Sequence, residues 1–362
     1  MKSIPSTTAY TIERPDVPAS HISPITDIPS FLTLLENALN ARAGLLDDRH
    51  EITLRLFNGF YEGCPELIID LYAQTAIIFS HADEPSAWLP VIQAVQERLQ
   101  LRFPWLRAVI LKTRKAPDLA SRRGVMLYGE QADQKIREHS VWYAIDAFIS
   151  QDASFYLDTR QLRLWAIQTL AGKRVLNTFA YTGSLGVAAM AGGALRVVQM
   201  DQNRIYLNQA KASASLNGFQ VDPGDFLNGD FWTLVNRLKR ADQLFDCVII
   251  DPPFFSVTDK GRVDLVHQSH RVINKVRPLV CHDGYLVVVN NALFVSGAEF
   301  LSTLESLCAT GYVSIEAFIP VPLDVTGYPH TRQRTLPVDP APFNHPTKIA
   351  ILRLLRKDGR VE

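Results

Sequence analysis

Between Arg174 and Phe254 the chain carries a succession that few folds accommodate. An apolar strand, RVLNTFA, breaks into the turn Tyr181-Thr182-Gly183-Ser184. A small-residue helix, LGVAAMAGGA, follows, and then a second strand, LRVVQM, ending on Asp201. Further on, FDCVII ends on Asp251-Pro252-Pro253-Phe254. Strand, glycine turn, helix and a strand tipped with a carboxylate open a doubly wound α/β sheet that binds an adenosine. The hydrophobic share of 47% supplies the core that such a sheet needs on both faces.

The alternation extends in both directions. Asp158, with Gln161 at the capping-box position, is placed to start the helix LRLWAIQTL. The pattern then predicts strand and helix in turn over 174–180, 183–191, 195–201, 203–216, 231–239, 245–251, 263–280 and 285–290. Such alternation implies right-handed crossovers and a parallel sheet. The end breaks it: YVSIEAFIPV and TKIAILRLL are strands separated only by a long proline-rich loop. Two consecutive strands without a crossover helix run antiparallel. The expected fold class is therefore a class I methyltransferase (Rossmann-like) sheet, mostly parallel with an antiparallel last strand.

At 362 residues the chain has room for a second unit. FLTLLENALNARAGLL and WLPVIQAVQERLQ read as helices, and EITLRLFNGF, ELIIDLYAQTAIIFS and RAVILKT as strands. They predict a smaller N-terminal α/β domain over 29–137. An irregular arm, 1–28, precedes it; a hairpin of VWYAIDAF and SFYLD over 138–160 connects it to a main domain at 161–362.

The glycine turn holds only Gly183 and Gly186, one fewer than a pyrophosphate cradle needs. A ligand without phosphates, such as S-adenosylmethionine, still fits. Asp201 can accept both ribose hydroxyl hydrogens, or simply cap the next helix. Asp251-Pro252-Pro253-Phe254 stands at the carboxyl end of a strand, where open sheets put their ligands. Its prolines lack N–H donors, so their carbonyls and the Asp251 carboxylate present an acceptor-only surface suited to an exocyclic amine. Phe254 offers a stacking face for a flipped base. The bland alternative is a rigid loop that stops a strand. Asp230 is placed either to reach an adenine amine or to cap WTLVNRLKR.

As a set, NTFAYTGSLGVAAMAGGALRVVQMDQN, SFYLDTRQLR, the DPPFF run and NGFYEGCPELIIDLY resemble a known family. It is that of the large-subunit ribosomal RNA methyltransferases of the cytosine-C5 (I) and guanine-N7 (K) types, over about residues 35–355. The resemblance implies S-adenosylmethionine as methyl donor, RNA as partner and an RNA-contacting role for the N-terminal domain. It implies that Phe179, Tyr181, Thr182, Gly183, Asp201, Gln202, Asp230, Phe231 and Asp251 line the cofactor, with Arg160 near its carboxylate end. Asp251, Pro252 and Phe254 become the catalytic candidates. Three features depart from that family. No PUA domain precedes the small domain, DPPKF reads DPPFF, and Asn290-Asn291 stands where the relatives have Ser-Cys-Ser. Cytosine-C5 transfer needs a thiolate, so a base nitrogen is the expected acceptor. A methyltransferase for protein or small molecules, and an RNA-binding module without catalysis, are the rival readings.

Formal net charge is zero, so RNA must meet local patches. Arg102, Arg107, Lys112, Arg114, Lys115, Arg122 and Arg123 crowd one segment, and Arg332 and Arg334 stand beside Tyr328 and His330 in the long loop. Four scattered cysteines without a CxxC pair point to a reducing cytoplasm. No apolar run reaches membrane-spanning length. His267 and His270 have no evident third ligand, so no metal is expected. The sequence leaves a homodimer open.

Overall fold

The computed structural model describes residues 27–336 and 338–361; the expected arm falls almost wholly outside them. Two sheets organise the chain. The smaller has the order β1-β2-β3-β4-β5: β1 (Thr53–Asn58), β2 (Leu67–Tyr72), β3 (Thr75–Ser80), β4 (Ala108–Thr113) and β5 (Val125–Tyr128). All its pairings are antiparallel except β3 with β4. Helices α1 (Ile28–Arg42) and α3 (Leu89–Arg102) close one face through Phe31, Leu35, Val91 and Val95. Short helices α2 (Gly59–Glu62) and α4 (Leu119–Arg123) fill turns.

A hairpin of β6 (Lys135–Glu138) and β7 (Val141–Ala144) joins the halves. The main domain then runs α5 (Arg160–Thr169), β8 (Arg174–Thr178), α6 (Ser184–Ala191), β9 (Arg196–Asp201), α7 (Arg204–Leu216), β10 (Phe226–Asn228), α8 (Phe231–Arg240) and β11 (Phe245–Ile250). Hairpin β12 (Phe255–Thr258) and β13 (Gly261–Asp264) precedes α9 (Ser269–Val276), β14 (Val280–Asn290), α10 (Gly297–Cys308), β15 (Val313–Phe318), α11 (Leu323–Thr326) and β16 (Lys348–Leu354).

The seven-stranded order is β10-β9-β8-β11-β14-β16-β15. Its pairings are parallel up to β14, and β16 is inserted antiparallel to both neighbours. The sheet is thus the expected class I one, with an antiparallel last strand. Successive residues of β11 serve opposite faces. Cys247 and Ile249 pack with α5 and α6, whereas Val248 and Ile250 pack with α8, α9 and α10. Burial on both faces explains why these strands read as unbroken apolar runs.

Several boundaries differ from the sequence reading. ELIIDLYAQTAIIFS is two strands, folded back at Ala73, which takes φ +54°. The connecting hairpin lies at 135–144, while SFYLD is irregular, with Ser154 Oγ accepting the Asp146 N–H. Thr159, not Asp158, precedes α5, and its side chain makes no capping bond. The expected helix 263–280 starts only at Ser269, because 255–264 pair as a hairpin. Cys281 lies in β14. No described helix is long and apolar enough to cross a membrane.

Candidate active site

The strand order reverses between β8 and β11, and a cavity of about 360 Å³ opens there, beyond the carboxyl ends of the strands. Residues following β8, β9, β10, β11 and β14 line it, joined by Tyr156, Asp158 and Thr159 ahead of α5, by the β12–β13 hairpin and by Thr347.

The turn after β8 is held in an uncommon shape. Phe179 (φ +54°), Tyr181 (φ +50°) and Gly183 (φ +79°) all take left-handed conformations. For the two aromatic residues each costs about 1–3 kcal/mol. Anchors on β9 offset it: the Ala180 N–H donates to Met200 O and the Tyr181 N–H to Asp201 Oδ2, both at 2.9 Å. Phe179 stacks on Phe231 with ring centroids 4.5 Å apart. Tyr181 packs between Tyr156 and Tyr206. The glycines serve packing rather than ligand approach. A Cβ at Gly183 would sit 2.3 Å from Ala210 Cβ, and one at Gly186 2.5 Å from the Gln199 side chain.

Asp201 lines the cavity and is not the cap of α7, a part played by Asn203. Its Oδ2 accepts from Tyr181 N–H and its Oδ1 from Asn203 N–H at 2.8 Å. Each oxygen keeps a lone pair for a ligand hydroxyl. Burial raises its pKa, against the pull of those backbone donors. Asp230 combines both readings offered for it. Its Oδ1 caps α8 through Thr233 N–H at 3.0 Å, its Oδ2 accepts from Thr258 Oγ1 at 2.8 Å, and it lines the cavity. Asp251, at the tip of β11, accepts no hydrogen bond from any described residue. Burial, then the Asp158 carboxylate, pushes its pKa up to about 7.

Of the residues expected at the site, Phe179, Tyr181, Asp201, Gln202, Asp230, Phe231 and Asp251 share this cavity. The others lie outside its lining. Thr182 is buried, with its hydroxyl on Ser154 O at 2.5 Å, and Gly183 packs on α7. Arg160 faces the small domain instead, its guanidinium on Asp324 at 2.8 and 3.0 Å and on Glu138 at 3.2 Å. Pro252 is buried and its carbonyl accepts from Asn291 Nδ2 at 3.3 Å. Phe254 is exposed beyond the rim, which Pro253 forms. Asn290 is buried and turns its amide to Ala292 N–H and Leu265 O, whereas Asn291 lines the cavity.

Sequence reasoning missed Tyr156, Tyr206, Thr258 and Thr347 as lining residues and took Asp158 for a helix cap. Asp158 accepts from Thr347 Oγ1 at 2.7 Å, across 189 residues of chain. The SFYLD motif ahead of α5 was the one available signal. No cysteine is among the lining residues. Cys247 is fully buried in β11, and burial drives its thiol far up.

The basic segment is mostly committed to structure. Lys112 is buried, with Nζ on Arg123 O and on Ser150 O at 2.8 Å. Arg114 pairs with Asp152 at 2.6 Å, Arg107 with Asp133 at 3.6 Å and Lys115 with Asp83. In the long loop, Arg332 holds Thr326 and Gly327 carbonyls.

The charge of the lining decides between ligand classes. Asp158, Asp201, Asp230 and Asp251 contribute to it; no lysine, arginine or histidine does among the described residues. A pyrophosphate would meet four carboxylates and no described cation here, whereas a cation is welcome. The residues present therefore fit an adenosine bearing a sulfonium: Asp201 for the ribose, Phe179 and Phe231 for the apolar wall, and carboxylates for the positive charge.

A model of the S-adenosylmethionine-dependent methyltransferase family matches residues 77–316. The chain is 32% identical over 263 residues to a ribosomal RNA large subunit methyltransferase I of Photobacterium profundum, covering 70% of this chain and 62% of that one. It is 31% identical over 234 residues to the protein of that name from Aeromonas salmonicida, covering 64% and 58%. The chain thus spans less than two thirds of these relatives' length. Among solved structures, a methyltransferase complexed with SAH matches with TM-score 0.77 at 20% identity, covering 91% of this chain and 82% of the other. An S-adenosylmethionine-dependent methyltransferase from Streptococcus mutans matches with TM-score 0.76 at 19% identity and the same coverage.

Proposed function

The chain belongs to the S-adenosylmethionine-dependent methyltransferase family, and from that premise we propose that it methylates a base nitrogen in RNA, with ribosomal RNA as the substrate to try first. The observation that carries the reading is a carboxylate-lined cavity with Asp251-Pro252-Pro253-Phe254 at its edge and neither a cation nor a cysteine among its described lining residues. When bound, S-adenosylmethionine supplies a methyl group already activated by its sulfonium, so the protein's work is positioning and exclusion of water.

In this reading Asp201 accepts from the ribose hydroxyls, and Phe179 and Phe231 bound the purine side. Asp251 accepts from the amine of the target base and stabilises the positive charge that grows on its nitrogen. The Pro252 carbonyl, oriented by Asn291, is a second acceptor beside it. Phe254, more than half exposed, supplies the stacking face. The thiolate that cytosine-C5 transfer requires has no candidate among the lining residues. The relatives named as ribosomal RNA methyltransferases support RNA as acceptor. The exposed Arg123, at the end of α4, adds its positive charge beside Tyr206 of the lining.

The test is transfer of radiolabelled methyl to ribosomal RNA from a strain lacking the gene, followed by nucleoside mass spectrometry. Label on a nitrogen-methylated nucleoside, lost on RNase treatment, is the expected result. Label that survives RNase assigns the acceptor to protein or a small molecule and removes the RNA reading; 5-methylcytidine removes the nitrogen.

A further inference from the structure

The carboxylates of the cavity are not equivalent. Asp201 is held by two backbone N–H groups. Asp230 is held by the first turn of α8 and by Thr258. Asp158 has the Thr347 hydroxyl. Asp251 has no described donor, although it ends the strand beside the point where the sheet reverses. Asp158 faces it from the segment ahead of α5, and its charge is felt at Asp251.

The other charged and titratable groups around the pair bring no counter-ion. Tyr156 shares the Asp158 segment, Tyr181 and Asp201 stand on the turns after β8 and β9, Tyr206 on α7 and Asp230 ahead of α8. Burial keeps Tyr156, Tyr181 and Tyr206 in the neutral phenol form by raising each. Beyond β14 the cavity meets Asn291, which is uncharged. Behind Asp158, His345 is lowered to about 4 by burial and is neutral. The Arg55 guanidinium there is committed to Asp70 at 2.7 and 3.1 Å. Asp251, poorly solvated and beside a second carboxylate with no cation among the described lining residues, therefore holds its proton to higher pH than a free carboxyl.

We propose that Asp158 and Asp251 form a proton-linked cation subsite for the positively charged end of S-adenosylmethionine, and that the cofactor's arrival ionises Asp251. This rests on the reading above and deepens it, because it says what prepares the acceptor surface for the base. Burial and Asp158 leave the Asp251 carboxyl half protonated near neutral pH. A protonated carboxyl donates a hydrogen bond, whereas an ionised one only accepts. Without the cofactor Asp251 thus offers an incoming amine a donor as well as an acceptor; with it, acceptors alone. The cofactor therefore binds before the base is recognised. No bond between heavy atoms changes: the proton leaves Asp251 for solvent, and the cofactor's positive charge takes over its role.

A neighbouring cation lowers the carboxyl's pKa from its starting point of about 7. Between the lowered value and the starting one, binding releases a proton, so affinity rises with pH and levels off above it.

Calorimetry on the full chain reads this directly. S-adenosylmethionine is titrated at neutral pH in two buffers of different ionisation heat, beside 5′-methylthioadenosine, which carries the same nucleoside without the charged end. Release of about half a proton with S-adenosylmethionine and none with methylthioadenosine is expected. Asp251→Asn should abolish the release. Asp158→Asn should reduce it only in part, since burial, the larger cause of the raised pKa, remains. Heat independent of the buffer, or equal release with methylthioadenosine, overturns the proposal while leaving the methyltransferase reading intact. An absence of S-adenosylmethionine binding overturns both. Failure on RNA alone, with the proton release observed, overturns only the substrate.

Discussion

Two clusters of charge in this molecule are built from the same residue types and behave oppositely. Under the small domain, Arg42 pairs with Glu62 at 2.9 and 3.0 Å, and Arg160 with Asp324 at 2.8 and 3.0 Å. Arg163 meets Glu138 there as well. Every carboxylate in that cluster has its guanidinium, and Arg42, Glu62, Arg163 and Asp324 are essentially removed from solvent. At the strand tips, Asp158, Asp201, Asp230 and Asp251 share one cavity with no cation among the described lining residues. A charge that is satisfied by the chain holds the chain together; a charge left without its opposite waits for a ligand. Arg160 illustrates the difference. The family resemblance assigns it to the cofactor, yet its partners place it wholly in the first cluster.

Substitutions in the two clusters should therefore separate function from stability. The largest effect is expected at Asp251→Asn. Methyl transfer should fall about 100-fold or more, the loss typical of removing a key electrostatic group. The folded protein should be no less stable above neutral pH. A carboxyl whose pKa is raised to about 7 in the folded chain, from 3.8, weakens the fold progressively as pH climbs through that window, and Asn removes the penalty. Kinetics together with thermal melts at pH 5 and pH 8 check both halves.

The converse is Glu138→Ala, which takes the carboxylate from the buried Arg163 guanidinium and leaves Arg160 with Asp324 alone. A broken buried pair costs about 3–5 kcal/mol. Denaturant titration should register that loss, while calorimetry on the surviving folded fraction should give cofactor affinity within about two-fold of wild type, since Glu138 is not among the lining residues of the cavity. A variant that stays stable but loses the cofactor would erase the distinction between the clusters. Gly183→Ala lies between the two. Its Cβ meets Ala210 at 2.3 Å in a left-handed backbone, so about 1–3 kcal/mol of stability should go, together with cofactor affinity, because the turn that orients Tyr181 must shift. Smallest is Lys115→Ala. Its exposed pair with Asp83 should contribute less than about 1 kcal/mol, and RNA affinity should change little if the basic segment is structural. A large drop in RNA affinity, or a shallower salt dependence, would restore that segment as a phosphate-binding face.

The main sheet was legible because its strands are buried on both faces and its helices amphipathic, so β8, β9, β11 and the antiparallel β16 announce themselves. Legibility failed where chain turns lack glycine or proline. Ala73-Gln74 folds ELIIDLYAQTAIIFS back on itself without either. It failed again at 255–264, where the β12–β13 hairpin delays a helix by a few residues. At the site, residues at strand tips could be found because topology fixes where a strand ends. Asp158 and Thr347 could not, since their meeting depends on a contact between distant segments. The glycines of the turn were legible from the sequence, but the close approach of Ala210 and Gln199 that they admit was not. The basic run stayed open between a phosphate-binding face and a solvated surface because a sequence shows its cations and hides their partners.

The carboxylates at the tips of β9 and β11 share one cavity, and the ligand proposed for it is a sulfonium nucleoside. A crystal structure with S-adenosylhomocysteine tests it most directly. The ribose hydroxyls should lie on the Asp201 carboxylate, with the sulfur turned toward Asp251. Adenosine bound away from Asp201, or a sulfur on the far side of the cavity from Asp251, would contradict it.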